Sequence, residues 1–207
     1  MPEESEESDK SFPSWEDLYN NQRVETMPWF NEKLDADLEE ELERRKITNG
    51  RILDLGTGPA TQAIQLAERG LKVTGSDVSK SAIKRAKEVY ANNNINFIVD
   101  NILDSEIKDK DFDYIFDRGC FHVMPIEERP KYIIQIKRIL DDKGILFLKC
   151  FSIKESRQEG PYKFSEDEIR DLFEKDQAFK IESIKETVYQ GTLDPLPKAL
   201  LVVMKKC

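Results

Sequence analysis

The sequence predicts an α/β protein: a three-layer sandwich in which helices cover both faces of a mostly parallel, seven-stranded sheet. Three observations support this. Short apolar runs alternate with helical patterns from residue 51 to residue 151, as expected of parallel strands joined by crossover helices. Two strand-like runs, 179–188 and 199–205, follow and are joined by a loop with Pro195 and Pro197, which indicates a C-terminal antiparallel hairpin. The 207 residues, 39% of them hydrophobic, suffice for one such domain.

The chain before residue 49 divides into two regions of different composition. Residues 1–11 are rich in acids and offer little to bury, so we expect a disordered acidic tail. Residues 12–48, here called the N-terminal segment, contain Trp15, Trp29 and leucines at i, i+4 spacing, which predicts a helical segment that packs on the domain as a lid. Residues 49–207 form the predicted main domain.

The elements of the main domain are assigned in chain order from their periodicity. The predicted strands of the alternating part cover residues 51–55, 72–75, 95–99, 114–116 and 145–151. Among the helices between and after them, Ser79 is expected to cap one, Pro130 to lie in the first turn of another, and Ser165 with Glu168 to form a capping box. The run Asp142-Lys143-Gly144 predicts the turn into the fifth strand.

Composition and charge exclude several classes of protein. The formal net charge of −9 at pH 7 offers no overall attraction to a phosphate backbone, so nucleic acid is not favoured as a substrate. No apolar run approaches the roughly 20 residues that span a bilayer, and the acidic N-terminus lacks the apolar core of a signal peptide. Cys120, Cys150 and Cys207 are odd in number and lack metal-ligand spacing. We therefore expect a cytoplasmic protein with reduced thiols, no bound metal and no membrane contact.

The first two strands carry the most informative motif. Residues 51–58, Arg-Ile-Leu-Asp-Leu-Gly-Thr-Gly, end in a glycine turn, and about twenty residues later the second apolar run ends at Asp77. Glycines let the backbone approach a nucleoside, and the later acid accepts hydrogen bonds from ribose hydroxyls. Thr61 stands where a dinucleotide site has its third glycine, and Asp54 is a poor neighbour for a pyrophosphate. A ligand with an ammonium group, a ribose and no phosphate, such as S-adenosylmethionine, suits this turn better.

Taken together, three runs of residues resemble the successive motifs of the Rossmann-like, class I S-adenosylmethionine-dependent methyltransferases. They are residues 52–58, residues 73–77 and Val99-Asp100. The resemblance covers about residues 45–207, including the terminal hairpin, and Ala60 takes the place of a further glycine of the family. It implies S-adenosylmethionine as the cofactor and in-line displacement of its methyl group by an acceptor, with a small molecule favoured.

The resemblance implies cofactor contacts at the first two strand ends. Asp54 and the backbone around Gly56 and Gly58 would hold the methionine part of the cofactor. Asp77 would bind the ribose hydroxyls, and Val78 would lie against the adenine. The alternative for Asp54 is a cap of the following turn.

Further contacts are implied at the next two strand ends. Asp100 would accept a hydrogen bond from the adenine amino group, and Asn101 or Ile102 would supply a backbone contact. Asp117 and Arg118 would border the cofactor and its methyl group. Considered alone, Asp100 fits a cap or an Asx turn equally well.

The run from Asp117 to His122, with the aromatic residues Trp15, Tyr19 and Trp29, resembles the branch that contains thiopurine, halide and tellurite-resistance-type methyltransferases. In that branch the aromatic N-terminal segment folds over the cofactor, so Trp29 is included among the cofactor-binding candidates. The run Asp-Arg-Gly is also similar to the Asp-Lys-Gly of some protein-lysine methyltransferases. A protein substrate is therefore an alternative to a small-molecule acceptor.

The candidates for a catalytic base are His122 and Asp117. His122 is the only histidine of the chain, and its near-neutral ordinary pKa suits the deprotonation of a hydroxyl or thiol. The alternative is a histidine that is only hydrogen-bonded in its loop. Two other functions stay open at this point: a non-catalytic module that binds the cofactor, and an NAD-dependent oxidoreductase, which Thr61, Asp54 and the terminal hairpin oppose.

Overall fold

The structure is a computed structural model that describes residues 10, 12–90 and 95–207. The predicted acidic tail, residues 1–11, lies outside the described residues except for Lys10. Within the described part of the chain, eight strands form one mixed sheet. No helix in these ranges is both long enough and apolar enough to cross a bilayer.

The predicted sheet is confirmed, with one additional strand. The strands are β1 Arg51–Leu55, β2 Lys72–Asp77, β3 Asn96–Val99, β4 Phe112–Arg118, β5 Leu140–Ser152, β6 Lys163–Phe164, β7 Phe179–Val188 and β8 Lys198–Lys206. Their order is β3-β2-β1-β4-β5-β8-β7, and β6 pairs with the end of β5. Strands β1 to β5 are parallel, whereas β8 runs antiparallel between β5 and β7. The two residues of β6 are too few to produce a periodic pattern in the sequence.

The helices are α1 Trp15–Asn21, α2 Ala36–Arg44, α3 Thr61–Glu68, α4 Lys80–Val89, α5 Arg129–Ile139 and α6 Glu166–Phe173. The last three begin where the capping and first-turn residues predict. The Ser79 side chain accepts a hydrogen bond from the backbone N–H of Ala82 at the start of α4. Ser165 and Glu168 form the expected capping box, and Pro130 lies in the first turn of α5.

The two faces of the sheet carry separate hydrophobic clusters because side chains alternate along each strand. Leu53 and Leu55 of β1 belong to the cluster formed with α5 and α6. Ile52, which directly precedes Leu53 and so lies on the opposite face of the sheet, belongs to the cluster formed with α2, α3 and α4. Helices therefore cover both faces, as the alternation of the sequence predicts.

The predicted turn at Asp142-Lys143-Gly144 lies within β5 and not before it, and pairing with β4 resumes at Ile145, where the strand was predicted to begin. The structure assigns these residues to β5, which begins at Leu140. Lys143 has a φ of 64°, and the register between β4 and β5 shifts between Phe112 and Tyr114. An irregularity of this kind keeps turn-forming residues inside a paired strand, so turn chemistry alone placed the strand boundary too late.

The parallel strands bring their carboxyl ends to one edge of the sheet. Leu55 of β1 pairs with Ser76 of β2 and Asp117 of β4, and Asp77 pairs with Val99 of β3. The predicted site residues after these four strands consequently lie along the same edge. In open α/β sheets this is the edge at which ligands bind.

Candidate active site

The turn after β1 uses backbone conformations that favour glycine. Gly56 and Gly58 have φ of 67° and 47°, where glycine has no steric cost. A Cβ at Gly58 would lie 2.3 Å from Tyr19 Oη, and one at Gly56 would lie 2.2 Å from Cys120 Sγ. The two glycines therefore allow close contact with the N-terminal segment on one side and with the turn after β4 on the other.

Ala60 is a third residue of this turn with a left-handed backbone. It is fully buried, caps α3 with a φ of 62° and replaces a glycine of the resembling motif. A residue with a Cβ costs roughly 1–2 kcal/mol in this conformation. Ala60 therefore carries backbone strain at a position where a glycine would have none.

Asp54 lies at the base of this turn with only 3% of its surface exposed. Its Oδ2 accepts a hydrogen bond of 2.6 Å from the Thr57 hydroxyl. Burial raises the pKa of Asp54 to about 7, although the Thr57 hydrogen bond and the charge of Arg118 oppose the change. The Thr57 bond ties the Asp54 side chain to its turn, and burial makes the carboxylate costly to ionise.

Asp77 joins the first two turns of the site. Its Oδ2 accepts from the backbone N–H of Gly58 at 3.0 Å, and its Oδ1 accepts from that of Ser79 at 2.9 Å. Burial raises the pKa of Asp77 to about 6, against these hydrogen bonds. Within the described ranges, Asp54 and Asp77 receive hydrogen bonds only from a hydroxyl and from backbone groups and form no ion pair. The edge therefore holds two buried carboxylates without a cation.

The end of β3 adds an unsatisfied acceptor. Asp100 Oδ1 accepts from the backbone N–H of Glu106 at 3.1 Å, whereas its buried Oδ2 has no hydrogen-bond partner among the residues that the structure describes. The Asn101 side chain caps the short 3-10 helix at Ile102–Asp104, and the Ile102 side chain is buried. Val78, next to Asp77, leaves about half of its side chain exposed. These residues lie together at the edge, as predicted.

The Asp117 side chain is hydrogen-bonded within the turn that follows it. It is fully buried, and its carboxylate accepts from the backbone N–H groups of Gly119, Cys120 and Phe121 at 2.8–3.1 Å. The Tyr132 hydroxyl donates a fourth hydrogen bond of 2.7 Å. Burial raises the pKa of Asp117 despite these bonds. Four donors occupy the carboxylate, so it shapes the turn after β4 and is not placed to act as a base on an acceptor.

The Arg118 side chain binds partners within the protein at the end of β4. Its Nε donates to Asp35 Oδ2 at 2.9 Å, its Nη1 donates to the Trp29 carbonyl at 3.0 Å, and its Nη2 donates to the Gln190 carbonyl. The guanidinium carbon lies 4.5 Å from the centre of the Tyr189 ring. Its side chain is therefore used entirely within the protein.

The N-terminal segment lies over the glycine turn. Glu16 of α1 accepts from the hydroxyls of Ser79 and Ser81 and from the backbone N–H of Ser81, which lowers the pKa of Glu16 to about 2. Tyr19 Oη, in contact with Gly58, accepts from Trp29 Nε1 at 3.3 Å. Desolvation raises the pKa of Tyr19. Trp29 is thus connected to the glycine turn through its hydrogen bond to Tyr19.

His122 is enclosed by aromatic rings beside the turn after β4. Its ring lies 5.1 Å from that of Phe151 in an edge arrangement and 5.6 Å from that of Tyr189 in a stacked one. Only 4% of His122 is exposed, and in the described part of the chain its Nδ1 has no hydrogen-bond partner. Burial, with the nearby charge of Arg118, lowers the pKa of His122 to about 3. The imidazole is neutral at physiological pH and is a weak base.

The aromatic group around His122 extends into the N-terminal segment. Trp29 packs against the cluster of Phe151 and Tyr189, and its ring lies 5.9 Å from that of Trp15. We call these four residues and His122 the aromatic wall. It lies next to the turn after β4, which the sequence predicts to border the transferred methyl group.

A separate cleft of about 740 Å³ lies at the opposite edge of the sheet. Its lining includes Arg51, Lys72 and Asn96, which stand at the amino-terminal ends of strands. None of the predicted site residues lines it. Since ligands of open α/β sheets bind at the carboxyl ends of strands, the size of this cleft does not make it the active site.

Several contacts of the site were not predicted from the sequence. Thr57 pairs with Asp54, and a threonine three residues after an aspartate in a turn is a recognisable local signal. Glu16 and Asp35 bind partners 63 and 83 residues away, and no local pattern indicates such pairs.

Comparisons with known proteins agree with the fold and the motifs. A family model described as a methyltransferase domain matches residues 52–144. The 2-heptyl-1-hydroxyquinolin-4(1H)-one methyltransferase of Mycobacteroides abscessus is 31% identical over 153 residues, which cover 72% of this chain and 67% of that protein. Probable thiol methyltransferase 2 of Arabidopsis thaliana is 26% identical over 162 residues, covering 76% of this chain and 70% of that protein.

A solved S-adenosylmethionine-dependent methyltransferase from Methanosarcina mazei has the same fold. It superimposes with a TM-score of 0.71 at 20% identity, covering 84% of this chain and 98% of that chain. The chain belongs to the class I S-adenosylmethionine-dependent methyltransferases, and it is an enzyme of methyl transfer. The oxidoreductase and the non-catalytic module are not favoured.

The strain at Ala60 predicts that Ala60→Gly stabilises the protein by about 1 kcal/mol, because glycine adopts this φ without a clash. Denaturation by urea measures the change. Ala63→Gly, in the right-handed interior of α3, is the matched control and should destabilise by about 1 kcal/mol or more. A destabilising Ala60→Gly would contradict the strained geometry.

The buried Asp54 carboxyl predicts a pH-dependent effect of Asp54→Asn on stability. Because the pKa of Asp54 is raised from 3.8 to about 7, its contribution to stability is complete below pH 3.8 and is lost as the pH rises through 7. Asparagine does not titrate, so the wild type should lose stability relative to the variant as the pH rises. From pH 5 to pH 8, the difference between their free energies of unfolding should change by about 2 kcal/mol in favour of the variant. Denaturant unfolding at both pH values measures this shift, and a difference independent of pH would oppose it.

Proposed function

We propose that Asp54, Asp77 and Asp100 bind S-adenosylmethionine at three points along the carboxyl edge of the sheet. Asp54, with the backbone of the glycine turn, receives the α-ammonium of the amino acid part. Asp77 accepts hydrogen bonds from the ribose hydroxyls, and Asp100 accepts one from the adenine amino group, with Val78 against the ring. The observation that carries this proposal is the pair of buried carboxylates without a cation, Asp54 and Asp77.

The residues fit this cofactor for physical reasons. A buried carboxylate is unfavourable unless hydrogen bonds or a positive charge compensate it, and an ammonium group supplies that charge. Asp77 uses only part of its acceptor capacity on Gly58 and Ser79, since a carboxylate has about four lone-pair sites. The free Oδ2 of Asp100 needs a donor, which an amino group provides. A pyrophosphate would instead place negative charge against both acids.

We also propose that the N-terminal segment, residues 12–48, covers the cofactor bound by the main domain, residues 49–207. Glu16 fixes α1 to the start of α4 beside Asp77, and Tyr19 lies on Gly58. When bound, the cofactor supplies an activated methyl group on a sulfonium sulfur. The covering segment would exclude water and hold donor and acceptor in line, and such placement can lower a barrier by about 7–11 kcal/mol.

The side chains of the aromatic wall indicate which class of molecule accepts the methyl group. Aromatic rings line the region where the methyl group is expected, and flat apolar acceptors pack well against them. His122 is a weak base, and Asp117 is fully hydrogen-bonded within its turn. We propose that the acceptor is a small planar aromatic molecule whose thiol or acidic hydroxyl ionises without help from the protein. An N-hydroxyquinolone and a thiol appear in the names of two relatives, which supports this class over a lysine side chain.

The ribose assignment predicts that Asp77→Ala abolishes detectable binding of S-adenosylhomocysteine. The variant loses the acceptor of the ribose hydroxyls and the link between the first two turns. Isothermal calorimetry measures binding, and circular dichroism checks that the variant is folded. Asp104→Ala, an exposed acid just beyond the same edge, should bind like the wild type. Affinity near that of the wild type in a folded Asp77→Ala protein would refute the assignment.

The acceptor assignment predicts that the pH dependence of methyl transfer follows the pKa of the acceptor. Transfer of a labelled methyl group is measured from pH 5 to pH 9 with aromatic thiols, phenols and N-hydroxy heterocycles of different acidity. The midpoint of the rate profile should move with the acceptor and should be the same in His122→Asn. A fixed midpoint that disappears in His122→Asn would show instead that His122 is the base.

A further inference from the structure

A buried ion cluster connects the N-terminal segment to the strand ends. It consists of Asp35 and Asp37 from the start of α2, Arg118 from the end of β4 and Lys149 from β5. Lys149 Nζ lies 2.7–2.8 Å from both oxygens of Asp35 and 2.7 Å from Asp37 Oδ2. Arg118 contributes the 2.9 Å bond from its Nε to Asp35. Two acids and two bases are thus paired in the interior, and the half-exposed Lys185 adds a contact of 3.2 Å to Asp37 Oδ1.

A cluster of this kind requires an explanation beyond stability. Asp35 and Lys149 are fully buried, and lysine and aspartate are almost never fully buried unless they are paired. The cost of removing such charges from water commonly cancels their attraction, so buried ion pairs contribute little net stability. They do fix one arrangement of the groups they join. The question is therefore which arrangement this cluster fixes.

Arg118 connects the buried ion cluster to the aromatic wall. Besides Asp35, its guanidinium binds the carbonyls of Trp29 and Gln190 and lies over the Tyr189 ring. The Tyr189 hydroxyl donates in return to the carbonyl of Arg118 at 2.5 Å. One side chain therefore holds the N-terminal segment, the loop after β7 and one ring of the wall.

The connection continues from Trp29 to the glycine turn. The indole N–H of Trp29 donates to the Tyr19 hydroxyl, which lies on Gly58. The loop after β7 is also in close contact with the segment, because a Cβ at Gly191 would lie 2.0 Å from the Pro28 carbonyl oxygen. Contacts thus run without a gap from the cluster to the proposed cofactor site.

We propose that Arg118 is a positioning residue for methyl transfer: through Asp35, the Trp29 carbonyl and the Tyr189 ring, it holds the N-terminal segment and the aromatic wall over the glycine turn. This inference rests on the proposed function, in which that turn binds the cofactor. This role requires the planar guanidinium group of arginine, which donates hydrogen bonds to three acceptors and at the same time stacks on an aromatic ring. A lysine keeps the charge but cannot reproduce this geometry.

The experiment compares Arg118→Lys with the wild type by acrylamide quenching of tryptophan fluorescence. Trp15 and Trp29 are the only tryptophans of the chain, and both lie in the segment, so quenching reports its packing without any cofactor. We expect greater quenching in Arg118→Lys. We also expect about tenfold weaker binding of S-adenosylhomocysteine, a coupling within the range for residues that do not touch a ligand.

Arg51→Lys is the matched control. Arg51 also interacts with three aspartates, Asp111, Asp113 and Asp141, but at the opposite edge of the sheet. A purely structural effect of losing an arginine from an ion cluster should therefore appear in both variants as a lower melting temperature. Only Arg118→Lys should change the quenching and the affinity for S-adenosylhomocysteine.

Gly191→Ala tests the same connection without changing a charge, and it serves if Arg118→Lys does not fold. Its methyl group should push Pro28 away and increase the quenching. Quenching and affinity equal to those of the wild type in a folded Arg118→Lys protein would overturn the proposal, as would unchanged quenching in Gly191→Ala if Arg118→Lys is unfolded. Failure of the wild type to bind S-adenosylhomocysteine would instead refute the proposed function, while the quenching of the free proteins would still decide the role of Arg118.

Discussion

The structure depends most on the burial of Asp54 and Asp77 at neighbouring strand ends, where neither acid forms an ion pair with any residue that the structure describes. Their carboxylates hold the turns after β1 and β2 through Thr57, Gly58 and Ser79. Their burial also makes ionisation costly, because a charge in a poorly solvated site needs a partner. The same two acids thus shape the edge of the sheet and leave an electrostatic requirement that a cationic ligand satisfies.

A second pair of buried acids in the same protein, in contrast, has cationic partners within the chain. Asp35 and Asp37 are just as buried, but Lys149 and Arg118 neutralise them within the chain. Burial opposes ionisation of Asp37, yet the hydrogen bond and charge of Lys149 lower its pKa. The contrast separates an acid pair that has its cations within the fold from the pair that we propose to complete with the cofactor. In this proposal the N-terminal segment is held by the first pair and lies over the second.

The sequence predicted the sheet and the acids along its edge because both depend on local signals. A buried run that ends in a glycine or an acid shows where a parallel strand stops, and parallel strands bring Asp54, Asp77 and Asp100 together. The roles of Arg118 and His122 depend on partners distant in the chain, such as Asp35 and Tyr189, so their residue types alone suggested contact with the cofactor and base chemistry. Asp117 is intermediate, since its hydrogen bonds to the next residues form a local turn that the sequence could have indicated.

The most direct test of this account is the proton balance of S-adenosylhomocysteine binding to the wild-type protein. Calorimetry at pH 6 in two buffers of different ionisation enthalpy measures the protons released, and a series from pH 5 to pH 8 measures the affinity. If the ammonium group binds to Asp54 beside Asp77, it should lower their raised pKa values, so binding should release protons and strengthen as the pH rises. Binding with no proton release and the same affinity across this range would contradict the central claim.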